Sequence, residues 1–297
     1  MKNVGIVVVT YNRLSLLKEV VDSLRNQTYS DFQIIVINNG STDGTLDWLN
    51  AQNDVLTITQ ANTGGAGGFY TGMKYVAEHD YKYCWVMDDD VICNPTALEE
   101  LMKAYRAKED AGFICSKVIG IDGEAMNVPI LDMRKGATGY VQWYNESDYN
   151  LLRVKKSTFV SVLFSVPIIQ KKGLPYREYF IWGDDWEYTQ RISTEYVSYV
   201  ALKSIVVHKR KIQQRINFKS EKDKARIKNY FYAYRNSAYN RIKYAEASIF
   251  RVYSGFIYRI IKTLLRGEVT HALVYMRSFS ALLKFKPTVD FPAVIDR

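Results

Sequence analysis

The sequence predicts an α/β fold with a mainly parallel sheet, followed by a C-terminal helical appendage. Three observations predict it. The first hundred residues alternate short apolar runs with helical periodicities. Each apolar run ends in a polar or glycine-rich turn. The charge is divided along the chain: residues 1–208 hold 20 Lys+Arg and 25 Asp+Glu (net −5), Lys209–Arg297 hold 20 and 6 (net +14), and the sum is the chain's +9.

Val4–Thr10 is apolar nearly throughout, as expected of a parallel strand covered on both faces. It runs into the polar turn Thr10-Tyr11-Asn12-Arg13. Leu14–Asn26 follows as a helix with Leu16, Leu17, Val20, Val21 and Leu24 on one side. Phe32–Ile37 is a second strand, ending in the turn-forming loop Asn38-Asn39-Gly40-Ser41-Thr42-Asp43-Gly44. Thr45–Ala51 is a short helix and Val55–Thr59 a third strand. The segment Asn62-Thr63-Gly64-Gly65-Ala66-Gly67-Gly68-Phe69 is expected as a loop leading into a helix over Tyr70–Glu78. Tyr83–Met87 is a buried strand that meets three consecutive carboxylates, Asp88-Asp89-Asp90.

Further on, a helix is expected from Pro95 to about Ala107 and a strand over Phe113–Ile119. Residues 122–150 show no clear period, though Gly136, Gly139 and Trp143 suggest a functional loop or a short hairpin. Ser157–Pro167 reads as one strand and Ile168–Lys172 as a helix. Trp182-Gly183-Asp184-Asp185-Trp186-Glu187 opens another helix, and Val197–Val207 is a strand ending at His208. Lys222–Tyr244, Ala247–Leu265 and Thr270–Leu283 read as helices. Two domains are expected: a catalytic α/β domain over 1–220 and a basic, Tyr-rich helical region over 221–297.

Composition bounds the function. A chain of 297 residues can bury a large core. Cys84, Cys93 and Cys115 are odd in number and have no zinc spacing, so a reducing compartment without a disulfide framework is expected. The apolar run Val4–Val9 is too short for a signal peptide, and the longest run, Phe159–Ile169, is broken by Ser and Pro before it reaches membrane length. A cytoplasmic protein is therefore expected. The acidic α/β half and the lack of a known motif argue against nucleic acid.

Three adjacent carboxylates at the end of a buried strand repel one another. A divalent cation carrying an anionic ligand relieves that repulsion, and oxygen ligands favour Mg²⁺ or Mn²⁺. The alternative is a solvated acidic turn that caps the next helix. Every polar turn above lies at the carboxyl end of a strand, where ligands bind in such sheets. The run Gly64–Gly68 allows backbone N–H groups to approach a phosphate at a helix N-terminus, but it is neither a dinucleotide fingerprint nor a Walker loop. Its other reading is structural. Asp184-Asp185-x-Glu187 offers a general base next to the aromatic sugar platforms Trp182 and Trp186, or simply a capped helix start. His208, followed by Lys209-Arg210-Lys211, reads as a structural residue, a metal ligand or a phosphate contact. Tyr11, Asn38 and Asp43 stand at strand ends suited to a nucleoside.

The ordered series Val7–Arg13, Val36–Thr45 and Met87–Asp90 resembles the family 2 glycosyltransferases of the GT-A fold. Asn62–Phe69, the Met-Asp-Asp-Asp strand end and Trp182–Glu187 look more narrowly like bacterial galactofuranosyltransferases and related rhamnosyltransferases. The resemblance covers roughly residues 4–240 and includes Tyr234-Arg235-Asn236 near its end. It implies an inverting, metal-dependent transferase that uses a nucleotide-diphospho-sugar. UDP-galactofuranose is the first expectation for the donor and dTDP-rhamnose the second. The acceptor would be a hydroxyl of a glycan or polyprenyl-linked glycan in cell-surface polysaccharide assembly, such as O-antigen or capsule.

The resemblance also implies roles for residues. Thr10, Asn12 and Asn38 hold the nucleoside, with Tyr11, Gly64 and Gly65 in the same donor site. Asp88 and Asp90 face an Mn²⁺ or Mg²⁺ ion and the diphosphate, with His208 as a further ligand. Asp89 faces the ribose or sugar, and Asp185 is the general base. Asp184 holds the sugar or acceptor, which Trp182, Trp186 and Glu187 flank. Asn38 departs from the Asp usual in the family, yet its carbonyl can still accept from a pyrimidine N3–H.

In the C-terminal part, Ile249, Val252, Tyr253, Phe256, Ile257, Ile260, Ile261 and Leu264 form a helical stripe among Arg251, Arg259, Lys262 and Arg266. It reads either as a packing face, against the catalytic domain or a second copy in a homo-oligomer, or as a peripheral membrane contact at the inner face of the membrane. A glycoside hydrolase also uses two carboxylates but leaves the triple Asp beside a glycine run unexplained. A protein that binds a nucleotide-sugar or an anionic surface without catalysis is the non-enzyme alternative.

Overall fold

The computed structural model describes residues 2–210, 218, 221 and 223–293, with backbone alone at 224 and 225. Lys211 and the expected helix start at Lys222 lie outside the described residues. Described residues within Met1–Arg177, Asp185–Gln213 and Val289–Arg297 form one compact unit; those within Glu178–Asp184 and Gln214–Thr288 form a second. The division differs from a single cut after residue 220, because 178–184 goes with the helices and the final segment goes with the sheet.

The α/β unit begins β1 (Val4–Thr10), α1 (Leu14–Arg25), β2 (Phe32–Asn38), α2 (Thr45–Asn50), β3 (Val55–Thr59), α3 (Gly64–Ala77) and β4 (Tyr83–Asp88). It continues with β5 (Val91–Cys93), α4 (Ala97–Ala107), β6 (Ile114–Ile119), β7 (Ile130–Leu131), β8 (Leu151–Lys156), β9 (Val162–Ser165), α5 (Val166–Lys172), α6 (Asp184–Ser193) and β10 (Ser198–His208). All ten strands join one sheet in the order β3-β2-β1-β4-β9-β6-β10-β8-β7, with β5 paired to β10. The β3-β2-β1-β4 half is parallel, as is the β6–β10 pair. β9 runs antiparallel to both β4 and β6 and so joins the two regions.

Alternation along β1 assigns the two layers. Val4, Ile6 and Val8 pack in one core with Leu17 of α1 and Leu101 of α4, while Val7 and Val9 pack in the other with Met73 and Val76 of α3. The glycine run turns out to be the first turns of α3 rather than a loop. A Cβ on Gly68 would stand 2.3 Å from a Val9 methyl, and one on Gly72 2.2 Å from a Val7 methyl. Close packing on β1 outweighs the low helix propensity of glycine. The strand expected over Ser157–Pro167 is shortened to β9, and an unexpected strand, β8, ends just before it. β8 precedes Ser157, β9 follows Ser161, and Ser157 N donates to Thr189 Oγ1 (3.1 Å) instead of a ladder partner. Gly136 N donates to Tyr140 O (2.9 Å), which closes a short hairpin within 122–150.

The second unit consists of α7 (Lys224–Lys243), α8 (Ile249–Leu265) and α9 (Val269–Lys284) with the segment 178–184. Its core gathers Phe218, Tyr230, Val252, Phe256, Val274, Tyr275 and Leu282. The stripe expected on α8 does not act as one face: Val252 and Phe256 are buried, but Ile249, Ile257, Ile261 and Leu264 are exposed.

Candidate active site

The strand pairing builds one rim. Thr10 pairs with Asn38, Asn38 with Thr59, and Val9 with Asp88, so the carboxyl ends of β1 to β4 finish side by side. Past Asp88 the chain turns through Asp89 and Asp90 into β5, whose pairing with β10 sets His208 opposite Val91.

Here the acidic residues separate in role. Asp89 is buried and accepts hydrogen bonds from Thr10 Oγ1 (2.8 Å) and Arg13 Nη1 (3.1 Å). Arg13 Nη1 also donates to Asp90 Oδ2 (2.8 Å). His208 Nε2 stands 3.0 Å from Asp90 Oδ1, but the approach lacks hydrogen-bond alignment, and Oδ1 is buried without a donor. On its other side, His208 Nδ1 donates to Asn127 Oδ1 (2.9 Å). That leaves Nε2 as the ring nitrogen facing the carboxylates.

Burial, then repulsion from Asp90 and Asp89, pushes the Asp88 carboxyl well above its usual range; Arg13 opposes this, and the charge of Asp185 adds to it. Burial likewise raises Asp89 to about 6 against the pull of Arg13 and Thr10. Burial also acts upward on Asp90, but His208 and Arg13 outweigh it and hold this carboxyl below the ordinary value. One ligand atom each from Asp88, Asp90 and His208 lies within 4.8 Å of the others. Two carboxylate oxygens and an imidazole nitrogen, one oxygen orphaned and one acid strained by its neighbours, fit a divalent cation.

Asp185 is the second residue of α6 and belongs to the α/β unit, where Asp88 feels its charge. Its Oδ1 accepts from Trp186 N (2.7 Å), and Trp186 is 38% exposed with Lys156 Nζ 5.5 Å over its ring. Glu187 requires a correction. It is fully buried and accepts from Arg191 Nη2 (2.9 Å), while Arg191 also donates to the carbonyls of Lys172 and Leu174. This is an internal ion pair, with no surface left for an acceptor.

In the helical unit, Asp184 is buried at the end of a segment with unusual backbone, where Phe180 and Trp182 adopt φ of 63° and 62°. Asn236 Nδ2 donates to the carbonyls of Tyr179 (3.0 Å), Ile181 (3.2 Å) and Trp182 (2.8 Å). Arg235 Nη2 donates to Glu178 O (2.7 Å), and Asn240 Nδ2 to Gly183 O (3.1 Å). Arg235, Asn236 and Asn240 thus tie down a segment that contains left-handed backbone. Trp182 is half-buried with its ring 5.4 Å from that of Tyr230, so it is an internal packing residue more than an open sugar platform.

The remaining expected residues divide. Tyr11 is exposed at the rim. Thr10 spends its hydroxyl on Asp89 Oδ2, and Arg13 braces Asp89 Oδ1. Asn12 Oδ1 accepts from Thr42 N (2.7 Å), and buried Asn38 Oδ1 from Ser41 N (3.0 Å). Asp43 accepts from Leu14 N (3.0 Å) and Thr45 N (3.3 Å), so it braces the starts of α1 and α2. Gly64 and Gly65 begin α3, and a Cβ on Gly65 would meet nothing within 4 Å. Two residues of the site were missed. Arg13 was visible as the one cation in the turn after β1. Asn127 lies in an aperiodic stretch that gave no signal.

Comparison with known proteins identifies the family. The model of the family described as Glycosyl transferase family 2 matches residues 5–166. Galactofuranosyltransferase GlfT1 of Mycobacterium tuberculosis is 29% identical over 199 residues, 64% of each chain. Poly(ribitol-phosphate) beta-N-acetylglucosaminyltransferase TarP of Staphylococcus aureus is 24% identical over 218 residues, 68% of this chain and 63% of that one. The chain thus spans just under two thirds of the length of these relatives. Among solved structures, S. aureus TarS 1-349 in complex with UDP superposes with a TM-score of 0.57 at 11% identity, over 96% of this chain and 92% of that one. At that identity the likeness is one of fold.

Proposed function

The chain belongs to glycosyl transferase family 2, and from that membership we propose that it is a metal-dependent, inverting transferase using a nucleotide-diphospho-sugar. The donor proposed is UDP-galactofuranose, which the 29% identity to GlfT1 supports over dTDP-rhamnose. The acceptor is a hydroxyl of a glycan or polyprenyl-linked glycan in cell-surface polysaccharide assembly.

One observation carries the reading. Asp88, Asp90 and His208 gather three ligand atoms, and Asp185 lies near enough for Asp88 to feel its charge. Asp88, Asp90 and His208 would hold Mn²⁺ or Mg²⁺, which when bound neutralises charge on a departing diphosphate. Asn127 fixes His208, and Arg13 fixes Asp89 and Asp90, so the acid cluster keeps its shape before the donor arrives. Asp185 takes the proton of the acceptor hydroxyl as its oxygen attacks the anomeric carbon from the face opposite the leaving group. A single displacement inverts that centre.

The test offers purified protein a panel of sugar nucleotides with Mn²⁺, Mg²⁺ or chelator, and reads nucleoside diphosphate release. UDP released from UDP-galactofuranose only with a divalent ion is expected. Release of dTDP from dTDP-rhamnose instead would move the donor. No release from any donor, or release unaffected by chelator, would contradict the reading.

A further inference from the structure

α8 is apolar on two sides, and the helical unit uses only one. Val252, Phe256 and Thr263 are buried, with Tyr253 and Ile260 packed beside them. Phe250, Ile257, Ile261, Leu264 and Leu265 fall within an arc of about 100° on another side. All five are exposed, Leu265 to 84% and Phe250 to 79%. A surface helix ordinarily carries one apolar stripe and turns polar residues outward.

The second stripe has a basic border. Tyr258 and Lys262 lie along one edge, joined by a hydrogen bond from Lys262 Nζ to Tyr258 Oη (3.0 Å). Tyr258, Ile261, Lys262, Leu265 and Arg266 line an open notch of about 290 Å³. From Ile249 to Phe285 the sequence has a single acidic residue, Glu268, against Arg251, Arg259, Lys262, Arg266, Arg277 and Lys284. α9 adds exposed Val269, Leu273, Met276 and Leu283.

We propose that this stripe of α8 rests on the surface of an anionic phospholipid bilayer, with its apolar side chains in the acyl boundary and Lys262 and Arg266 receiving a lipid phosphate at the notch. Charge decides between occupants. A second copy would bring the same cations against one another, whereas an anionic bilayer complements them. No helix among the described residues is long and apolar enough to cross a membrane, so α8 lies in the plane of the interface. The surface deepens the proposed function by giving access to a polyprenyl-linked acceptor, but it stands on the helical unit alone.

The full chain is floated with phosphatidylcholine vesicles, with and without phosphatidylglycerol. Two variants accompany it: Ile257→Ser/Ile261→Ser/Leu265→Ser, which changes only exposed positions, and Lys262→Gln/Arg266→Gln. The unaltered chain should float with the anionic vesicles only. The apolar variant should lower partitioning by about tenfold or more, and the charge variant by about fivefold per charge removed. Nucleoside diphosphate release in solution should be unchanged in both, so a chain that floats but releases nothing contradicts the proposed function and not this surface. Failure of the unaltered chain to float, or undiminished flotation of both variants, overturns the proposal. Self-association that the apolar variant abolishes, without flotation, overturns it in favour of a second copy.

Discussion

Asn236 is fully buried and donates its side-chain nitrogen to the carbonyl of Trp182 at 2.8 Å, where the backbone stands at φ 62°. Such a conformation in a bulky residue is held by its surroundings. The segment it belongs to runs straight into α6, whose second residue is Asp185. Asn236→Ala should therefore lower turnover by about 10²-fold through misplacement of the base, with donor affinity unchanged. A thermal melt would register the lost hydrogen bonds as about 1–3 kcal/mol. Unchanged kcat in a folded Asn236→Ala protein would confine the residue to packing.

Asn127 acts on the proposed metal ligands through its hydrogen bond with His208. Removing its carbonyl in Asn127→Ala frees the imidazole to turn, and Mn²⁺ affinity should fall by about 10–100-fold. Paramagnetic titration of Mn²⁺ measures this without turnover, and Asp90→Ala should abolish binding in the same assay. Equal affinity in Asn127→Ala and the unaltered protein would end its positioning role.

The glycines of α3 make a paired test. Gly68→Ala places a Cβ 2.3 Å from Val9 and should destabilise the fold by about 1–3 kcal/mol. Gly65→Ala meets nothing within 4 Å and should leave the melt unchanged or raise it slightly. If the start of α3 approaches the donor diphosphate, Gly65→Ala weakens donor binding in calorimetry. Unaltered donor affinity would restrict the glycine run to packing.

Glu187→Ala leaves Arg191 buried and unpaired, which should cost about 3–5 kcal/mol of stability. Acceptor KM of the folded protein should not change. A normal melt with raised acceptor KM would return Glu187 to the acceptor site.

The strands of the parallel half were legible because each is a short apolar run closed by a polar turn, and their ends announced where Thr10, Asn38 and Asp88 would meet. β5 was hidden by its three-residue length, and β8 by Arg153, Lys155 and Lys156, which break its apolar run. The glycine run was misread because local propensity speaks against a helix, while its contacts with Val7 and Val9 are made across the fold. Glu187 shared its motif with Asp185, but the helical turn sends it inward to Arg191. Asn127 is defined only by what it touches, far along the chain at His208.

The central claim is that Asp185 removes the acceptor's proton beside a donor held at Asp88, Asp90 and His208. The most direct measurement pairs calorimetry of UDP-galactofuranose binding in Mn²⁺ with single-turnover transfer, for the unaltered chain and Asp185→Asn. Donor affinity should be retained while transfer falls by about 10²–10⁴-fold. Transfer at a near-normal rate in Asp185→Asn would contradict the account.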